Sequence, residues 1–263
     1  MNCMKKISVV IPVYNAQETI VRALDSIKNQ TYPVSEIILI NDGSKDHSEE
    51  LILKYQREHP DLLIRYIYQD NQGPSVARNN GIKRASFEFV TFLDSDDEWL
   101  QQKNEKQIAA FEQNSNLSMV GGWREGELDT SINKGAFIPI SFEKLLRTNL
   151  IRPIVMIKKE VFDDVGYFPE DQKYSEDYNL WLRIAAKYES GIVNEVLYSY
   201  DNDGGVNYSG LSGNLWGMEK GELRNYKEMC EMGYISFAKR IKLSIISLLK
   251  YIRRYLIKKV KTA

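Results

Sequence analysis

Within the first hundred residues, β-branched apolar runs alternate with segments of helical spacing, and this alternation restricts the chain to one class of fold. The runs Ile7 to Ile11, Ile37 to Ile40, Leu63 to Tyr68 and Phe87 to Leu93 are nearly continuous in apolar character, the pattern of strands buried on both faces. Between them, Ile20, Ala23, Leu24 and Ile27 recur at i, i+3, i+4 and i+7, the stripe of an amphipathic helix. Leu51, Ile52 and Tyr55 mark a second helix, and Val76, Ala77, Asn80 and Gly81 a third. Strand and helix repeated at this interval predict βαβ units, hence an α/β fold with a doubly wound, mainly parallel sheet. Ligands of such sheets bind outside the carboxyl ends of the strands. Polar residues gather at those ends: Pro12-Val13-Tyr14-Asn15, Asn41-Asp42-Gly43-Ser44 and Asp94-Ser95-Asp96-Asp97, with Asp70 to Ser75 opening the helix that carries Arg78. Four loops therefore face one crevice.

Beyond residue 100 the pattern loosens. It predicts a long helix to about Ser115, a strand near Leu117 to Gly121, and a polar stretch to Gly135 that reads as a mobile loop. A strand at Ile154 to Ile157, a short helix from Lys159 to Val165 and a stronger helix from Ser175 to Tyr188 follow, and the last 30 residues are helical again. A chain of 263 residues suits one large α/β domain with a C-terminal extension, since single cores stop growing at roughly 250 to 300 residues.

Several classes fall away. Cys3 and Cys230 are the two cysteines of the chain, too few for a disulfide framework and better suited to a reducing compartment. His47 and His59 stand alone, without zinc spacing. The apolar run after Lys5-Lys6 breaks at Pro12 with no small-residue cleavage site, so it reads as a strand rather than a signal peptide. No window approaches the roughly 18 apolar residues of a spanning helix. The fingerprints GxGxxG after the first strand, GxxxxGK[ST] and GxSxG are missing, which removes the main support for a dehydrogenase, a P-loop ATPase and an α/β-hydrolase.

Asp94-Ser95-Asp96 follows the strand FVTFL. Two carboxylates there suit Mg²⁺ or Mn²⁺, which complete their shells with substrate phosphates; an acidic helix start is the competing reading. Asp42 ends the strand EIILIN and precedes a turn pair. It is placed either to accept from a base or ribose or to form an Asx turn capping the helix near Asp46. Arg78 offers a planar donor fork for a base or phosphate, against the usual role of a solvated arginine.

The blocks SVVIPVYNAQETIVRALDSIKNQTY, EIILINDGSKD, NQGPSVARNNGI, FLDSDDEW and YFPEDQKYSEDYNLWLRIA together resemble the family 2 inverting glycosyltransferases of the GT-A fold, of the bacterial polysaccharide and O-antigen type. They stand in the family's order and spacing over about residues 6 to 200. The resemblance implies a nucleotide-binding half at about residues 1–100 and an acceptor-side half at about 101–231 of one GT-A domain. Pro12, Tyr14 and Asp42 match the nucleotide cradle, with Asp42 at the base-contacting position. Arg78 matches a donor-contacting arginine, Asp94 the ribose-facing acid of the DXD motif with Ser95 beside it, and Asp96 its metal ligand, for Mn²⁺ or Mg²⁺. Asp177 matches the acid of the "ED" motif that serves as general base, and Trp181 in the same helix reads as core. The implied reaction is single displacement with inversion, moving a hexose from a UDP-sugar to a glycan acceptor. UDP-glucose and UDP-galactose lead over UDP-N-acetylhexosamines as donors. Many relatives carry Arg or His in a loop after the last strand, whereas YSYDNDGGVNYSGLSG has neither; Asp201, Asp203 and Ser209 are the groups available there.

Residues 232–263 hold nine cations and no acid, against a net −10 for residues 1–231. An acid-free amphipathic helix rich in Lys and Arg suits an anionic bilayer surface; a helix packed on the acidic body with a solvated basic face is the alternative. The first reading points to a peripheral protein on the cytoplasmic face of the plasma membrane with a lipid-linked acceptor, such as a polyprenyl-diphosphate saccharide. Nucleic acid is not an expected partner. A nucleotidyltransferase and a non-catalytic nucleotide-sugar or partner-binding module are the rival functions.

Overall fold

A computed structural model describes residues 4–200 and 213–262. The predicted alternation forms β1 (Ile7–Val13), α1 (Ile20–Lys28), β2 (Glu36–Asp42), α2 (Ser48–Glu58), β3 (Ile64–Gln69), α3 (Pro74–Arg84) and β4 (Phe89–Phe92). A short strand β5 (Asp97–Trp99), α4 (Lys103–Gln113), β6 (Leu117–Arg124), β7 (Phe137–Pro139) and α5 (Phe142–Arg147) follow. The chain continues through β8 (Met156–Lys158), α6 (Val161–Val165), α7 (Glu176–Lys187), β9 (Glu189–Tyr200), α8 (Leu215–Glu231) and α9 (Phe237–Thr262).

The strands join in one sheet of order β3-β2-β1-β4-β8-β6-β9-β5, with β7 paired to β9. Its first half is parallel, and the register sets Val13 opposite Asn41 and Asp42 opposite Gln69, so the strand ends that carry polar loops are flush. Its second half is mixed: β8 returns antiparallel to both β4 and β6, while β6 and β9 run parallel.

Side-chain alternation along β1 divides the core. Ile7, Val9, Ile11 and Val13 pack with Ile20, Leu24 and Ile27 of α1 on one face, and Val10 packs with Ala77 and Ile82 of α3 on the other. A strand buried on both faces gains from each, at roughly 1.5 to 3 kcal/mol per large side chain. The second face extends through Trp181 and Leu182 of α7 to Tyr226 and Met229 of α8. Trp181 is fully buried, with its ring edge-on to Phe168 at 5.8 Å, as a core residue should be.

Two segments differ from the sequence reading. The polar stretch before Gly135 is not a free loop. Buried Asn194 of β9 donates to the carbonyls of Asp129, Ile132 and Asn133 at 3.0, 2.8 and 3.3 Å, and accepts from Trp123 Nε1 at 2.8 Å. That partner lies some 60 residues away in the chain, beyond the reach of local composition. Helix α8 was not anticipated, and Gly217 and Gly221 explain its placement: a Cβ on Gly221 would stand 2.2 Å from the Tyr174 carbonyl oxygen. These glycines let α8 press on the turn that enters α7.

The approach of α3 to β1 rests on Gly81, where a Cβ would come within 2.3 Å of Val10 Cγ1. In an open helix Gly→Ala stabilises by up to about 1 kcal/mol. Here overpacking reverses the sign, and Gly81→Ala is expected to destabilise the fold by about 1 to 3 kcal/mol in chemical denaturation. Adding Val10→Ala should recover part of that loss. A stabilised Gly81→Ala protein would contradict the packing.

Candidate active site

The loops at the carboxyl ends of the strands are tied to one another before any ligand is considered. Asn15, in left-handed backbone at φ +50°, accepts from the Lys45 amide at 2.8 Å and donates its own amide to Ser44 Oγ at 3.0 Å. The first two loops are thereby locked together. Asn41, not Asp42, forms the Asx turn, accepting from the Ser44 amide at 2.9 Å, and Asp46 Oδ1 accepts the Ser48 amide at the start of α2.

Asp42 instead organises the third loop. Its Oδ1 accepts from Gln69 Nε2 at 2.7 Å and from the Gln72 amide at 2.8 Å, and its Oδ2 accepts from the Gly73 amide at 2.8 Å. Gly73 has φ +91°, which glycine adopts without strain, and Pro74 then opens α3 at its first position. A carboxylate has about four acceptor sites. Three donors therefore leave Asp42 room for one more. Pro12 is half-buried within β1, and Tyr14 is exposed just past its end.

Arg78 brings the distant segments together. Its Nη2 donates to Asp94 Oδ1 at 2.7 Å and its Nη1 pairs with Glu176 Oε1 at 3.4 Å. Its guanidinium carbon stands 5.6 Å from the Phe168 ring centroid. The arginine is 8% exposed. Burial disfavours its charge, but Asp94 and Glu176 outweigh that and hold the guanidinium firmly protonated.

Glu176 and Asp177 are the first two residues of α7. Burial, then the neighbouring Asp177 charge, raises Glu176 to about 7 despite Arg78. Burial also raises Asp177, opposed by the Tyr178 amide that donates to its Oδ1 at 2.6 Å and by Arg78. A carboxylate with a raised pKa is a better proton acceptor than an ordinary one. The entry to α7 is strained. Ser175 sits at φ +57°, a conformation costly for a residue with a Cβ, and Asn225 of α8 holds its carbonyl at 3.0 Å.

The acidic loop after β4 contains Asp94, Ser95, Asp96 and Asp97. Asp96 is exposed as a residue, yet loss of water around its carboxyl and then the charge of Asp94 raise it. Asp97 is raised to about 8 by burial and then by Asp94 and Asp96. Mutual repulsion among hard oxygen ligands is what a divalent cation relieves. Among the described residues, no group of three or more His, Cys, Asp or Glu forms a protein-only metal cage. The set fits a Mg²⁺ or Mn²⁺ that takes one or two carboxylates and completes its shell with substrate phosphate.

Two further features escaped the sequence reading. Arg152 forms a bidentate pair with Glu127 at 2.9 and 2.6 Å, joined by Arg124 at 3.1 Å. Burial raises both Asp177 and Tyr198; Arg152 opposes the first shift, and both arginines oppose the second. Behind the acidic loop, fully buried Lys103 donates to Thr91 Oγ1 and stands 3.7 Å from the Trp99 ring centroid. Burial holds its pKa well below the usual lysine range. Asp201, Asp203 and Ser209 lie outside the described residues. A surface cavity of about 670 Å³ between α1 and β5, lined by Arg22, Asp25 and Trp99 among others, includes none of Asp42, Arg78, Asp94 or Asp177.

Comparison with known proteins agrees with this architecture. Residues 8–168 match the family Glycosyl transferase family 2. An uncharacterized glycosyltransferase of Rickettsia bellii is 37% identical over 187 residues, covering 69% of this chain and 26% of that protein. The putative teichuronic acid biosynthesis glycosyltransferase TuaG of Bacillus subtilis is 29% identical over 228 residues, covering 85% of this chain and 88% of TuaG. The chain spans about a quarter to a third of the length of the Rickettsia bellii, felis and conorii relatives, at 26%, 34% and 34%. Among solved structures, S. aureus TarS 1–349 in complex with UDP-GlcNAc superposes with TM-score 0.71 at 22% identity, covering 92% of this chain and 71% of that one. Mannosyltransferase PcManGT from Pyrobaculum calidifontis, in complex with GDP-Man and Mn²⁺, gives 0.71 at 15% identity, covering 99% and 81%. The chain belongs to glycosyl transferase family 2 and has the GT-A fold.

The raised glutamate gives this site a pH signature. Folding holds the Glu176 proton more tightly than the unfolded chain does, where the value is near 4.5. Its contribution to stability is fully present below that value and is lost as pH rises through about 7. Glu176→Gln should therefore gain melting temperature on the native protein as pH rises from 5 to 8.5, in thermal melts at matched ionic strength. A constant difference across that range would contradict the raised value.

Proposed function

We propose that the protein transfers a hexose from a UDP-sugar to a glycan acceptor with inversion, using Asp177 as general base. The observation that carries this reading is the joining of Arg78 to both Asp94 and Glu176, which sets the end of β4 beside the acidic start of α7. A nucleotide cradle and a half-buried carboxylate with raised basicity then share one crevice.

Each residue has a task that its surroundings support. Asp42, with one acceptor site left, takes a hydrogen bond from the base edge, with Pro12 and Tyr14 beside it. Asp94 and Ser95 face the ribose, and Arg78 holds Asp94 in place and counters the charge of the diphosphate. Asp96 would hold Mn²⁺ or Mg²⁺, which would supply positive charge against the diphosphate leaving group. Asp177 accepts the proton of the acceptor hydroxyl as its oxygen attacks the anomeric carbon from the side opposite UDP. One displacement inverts the centre, so an α-linked donor gives a β-linked product. Arg124 and Arg152 supply positive charge on the acceptor side, where the sequence after Tyr198 offers no Arg or His up to Gly213.

The solved TarS complex with UDP-GlcNAc and the PcManGT complex with GDP-Man and Mn²⁺ support a nucleotide-sugar donor and a divalent metal. The name of TuaG supports cell-surface polysaccharide as the product class. Among the described residues no helix is long and apolar enough to cross a membrane, and we place the protein peripherally on the inner face of the plasma membrane, acting on a lipid-linked saccharide.

Calorimetric titration of UDP with Mn²⁺, and again with EDTA, tests the donor reading, with GDP, CMP and NAD as controls. Metal-dependent UDP binding is expected; binding to none of these nucleotides would overturn the proposal. Asp177→Asn removes the base without changing size. It should leave UDP affinity within about twofold and lower turnover by roughly 10²-fold or more. Near-native turnover would assign proton acceptance elsewhere.

A further inference from the structure

Helix α9 turns its apolar side away from the protein. At about 100° per residue, Phe237, Ile241, Ile245, Leu249, Ile252 and Leu256 share one face, and all six are exposed, Phe237 to 66% and Leu249 to 62%. The opposite face meets the body, and it is largely polar. Leu243 and Ser247 are buried there. Lys239 pairs with Glu143 of α5, Lys250 Nζ donates to the Arg147 carbonyl at 2.6 Å, and Arg254 pairs with buried Glu219 of α8 at 3.3 Å. An ordinary surface helix is oriented the other way, with its apolar stripe inward.

Charge selects what covers that stripe. Arg240 lies on one flank of the apolar face, and Lys242 and Arg253 on the other, by the same angular spacing. The segment from residue 232 onward has no acid to pair with cations from another copy, so two α9 faces brought together would oppose like charges. An anionic bilayer complements both features, burying the apolar ridge below the headgroups and meeting the flanking cations at them. A third observation agrees. Trp216 of α8 packs on Tyr251 at 5.4 Å between ring centroids, and Tyr251 stacks on Tyr255 at 6.2 Å. This aromatic row borders the apolar face, and Trp and Tyr favour the membrane–water boundary.

We infer that α9 is a membrane-docking face in which Phe237, Ile241, Ile245, Leu249, Ile252 and Leu256 enter an anionic leaflet while Lys239, Lys250 and Arg254 clamp the helix to α5 and α8. The inference rests on the proposed membrane location and specifies its surface. Helix α8 packs on both α9 and α7, so the docked helix is one layer from the helix that carries Asp177. That arrangement suits an acceptor delivered from the same leaflet.

The test is co-sedimentation of the full chain with phosphatidylcholine vesicles, and with vesicles containing about a third phosphatidylglycerol. Binding to the anionic vesicles is expected, weakening as salt rises. Ile245→Ser, Leu249→Ser and Ile252→Ser combined should reduce it by about tenfold or more, as should Lys242→Glu with Arg253→Glu. All five positions are exposed, and unchanged melting temperature and UDP affinity would show that fold and donor site are intact. Native protein that ignores anionic vesicles, or a triple variant that binds as the native protein does, would overturn the inference. So would a dimer in sedimentation velocity that the triple variant dissolves without any vesicle binding, which would give the face to a second copy. UDP titration on the same samples separates these failures from failure of the donor reading.

Discussion

A guanidinium withdrawn from water between two carboxylates joins the two halves of this molecule. Arg78 belongs to the βα repeat of the first hundred residues, as does Asp94, whereas Glu176 comes from the helix block 98 residues later in sequence. Without Arg78, Asp94 and Glu176 would be left near one another with no counter-charge between them. The separation between the strand-end loops and the acidic start of α7 is therefore held by electrostatics, with Phe168 packed against the guanidinium. Hydrophobic burial builds each half, but it is non-directional. The ion pair supplies the alignment.

The same division of labour runs through the strand-end loops. Asp42 spends three of its acceptor sites on Gln69, Gln72 and Gly73, fixing the loop that starts α3 and so fixing the base of Arg78. Asn15 fixes the first loop to the second. At the other end of the site, α8 presses two glycines against Tyr174 and holds the strained Ser175 that presents Glu176 and Asp177. These contacts are pre-organisation in a physical sense. The polar groups are oriented by bonds that exist before any ligand arrives, so less ordering remains for a bound state.

Much of this was legible from residues alone, for reasons that separate what was found from what was missed. The parallel half of the sheet was visible because strands buried on both faces must be apolar throughout, and Ile7 to Ile11 and Ile37 to Ile40 announce that directly. The candidate acids were visible because they stand at strand ends in short motifs. The Asn194 anchor, the Arg124–Glu127–Arg152 group and the seating of α8 were hidden because each depends on partners far apart in sequence, with no periodicity to betray them. Gly217 and Gly221 carried a readable signal: two glycines four apart in a helix mark close approach to another segment. Asp42 shows a subtler limit. Sequence could place it at the crevice, but only the structure shows that Asn41 beside it forms the turn while Asp42 holds the third loop.

Helix α9 combines features that favour each of two opposed readings of one segment. Nine cations without an acid fit a bilayer, and an acidic body fits a packed basic helix; composition alone does not separate them. The structure divides the cations by position. Those at 239, 250 and 254 face Glu143, the Arg147 carbonyl and Glu219, while those at 240, 242 and 253 flank the exposed ridge. The long aliphatic stems of lysine and arginine allow this, since they span apolar surface and still deliver charge at their tips. A helix fastened by charge on one side is free to offer its apolar side outward, and the energetic cost of leaving that ridge in water is removed when a lipid surface covers it.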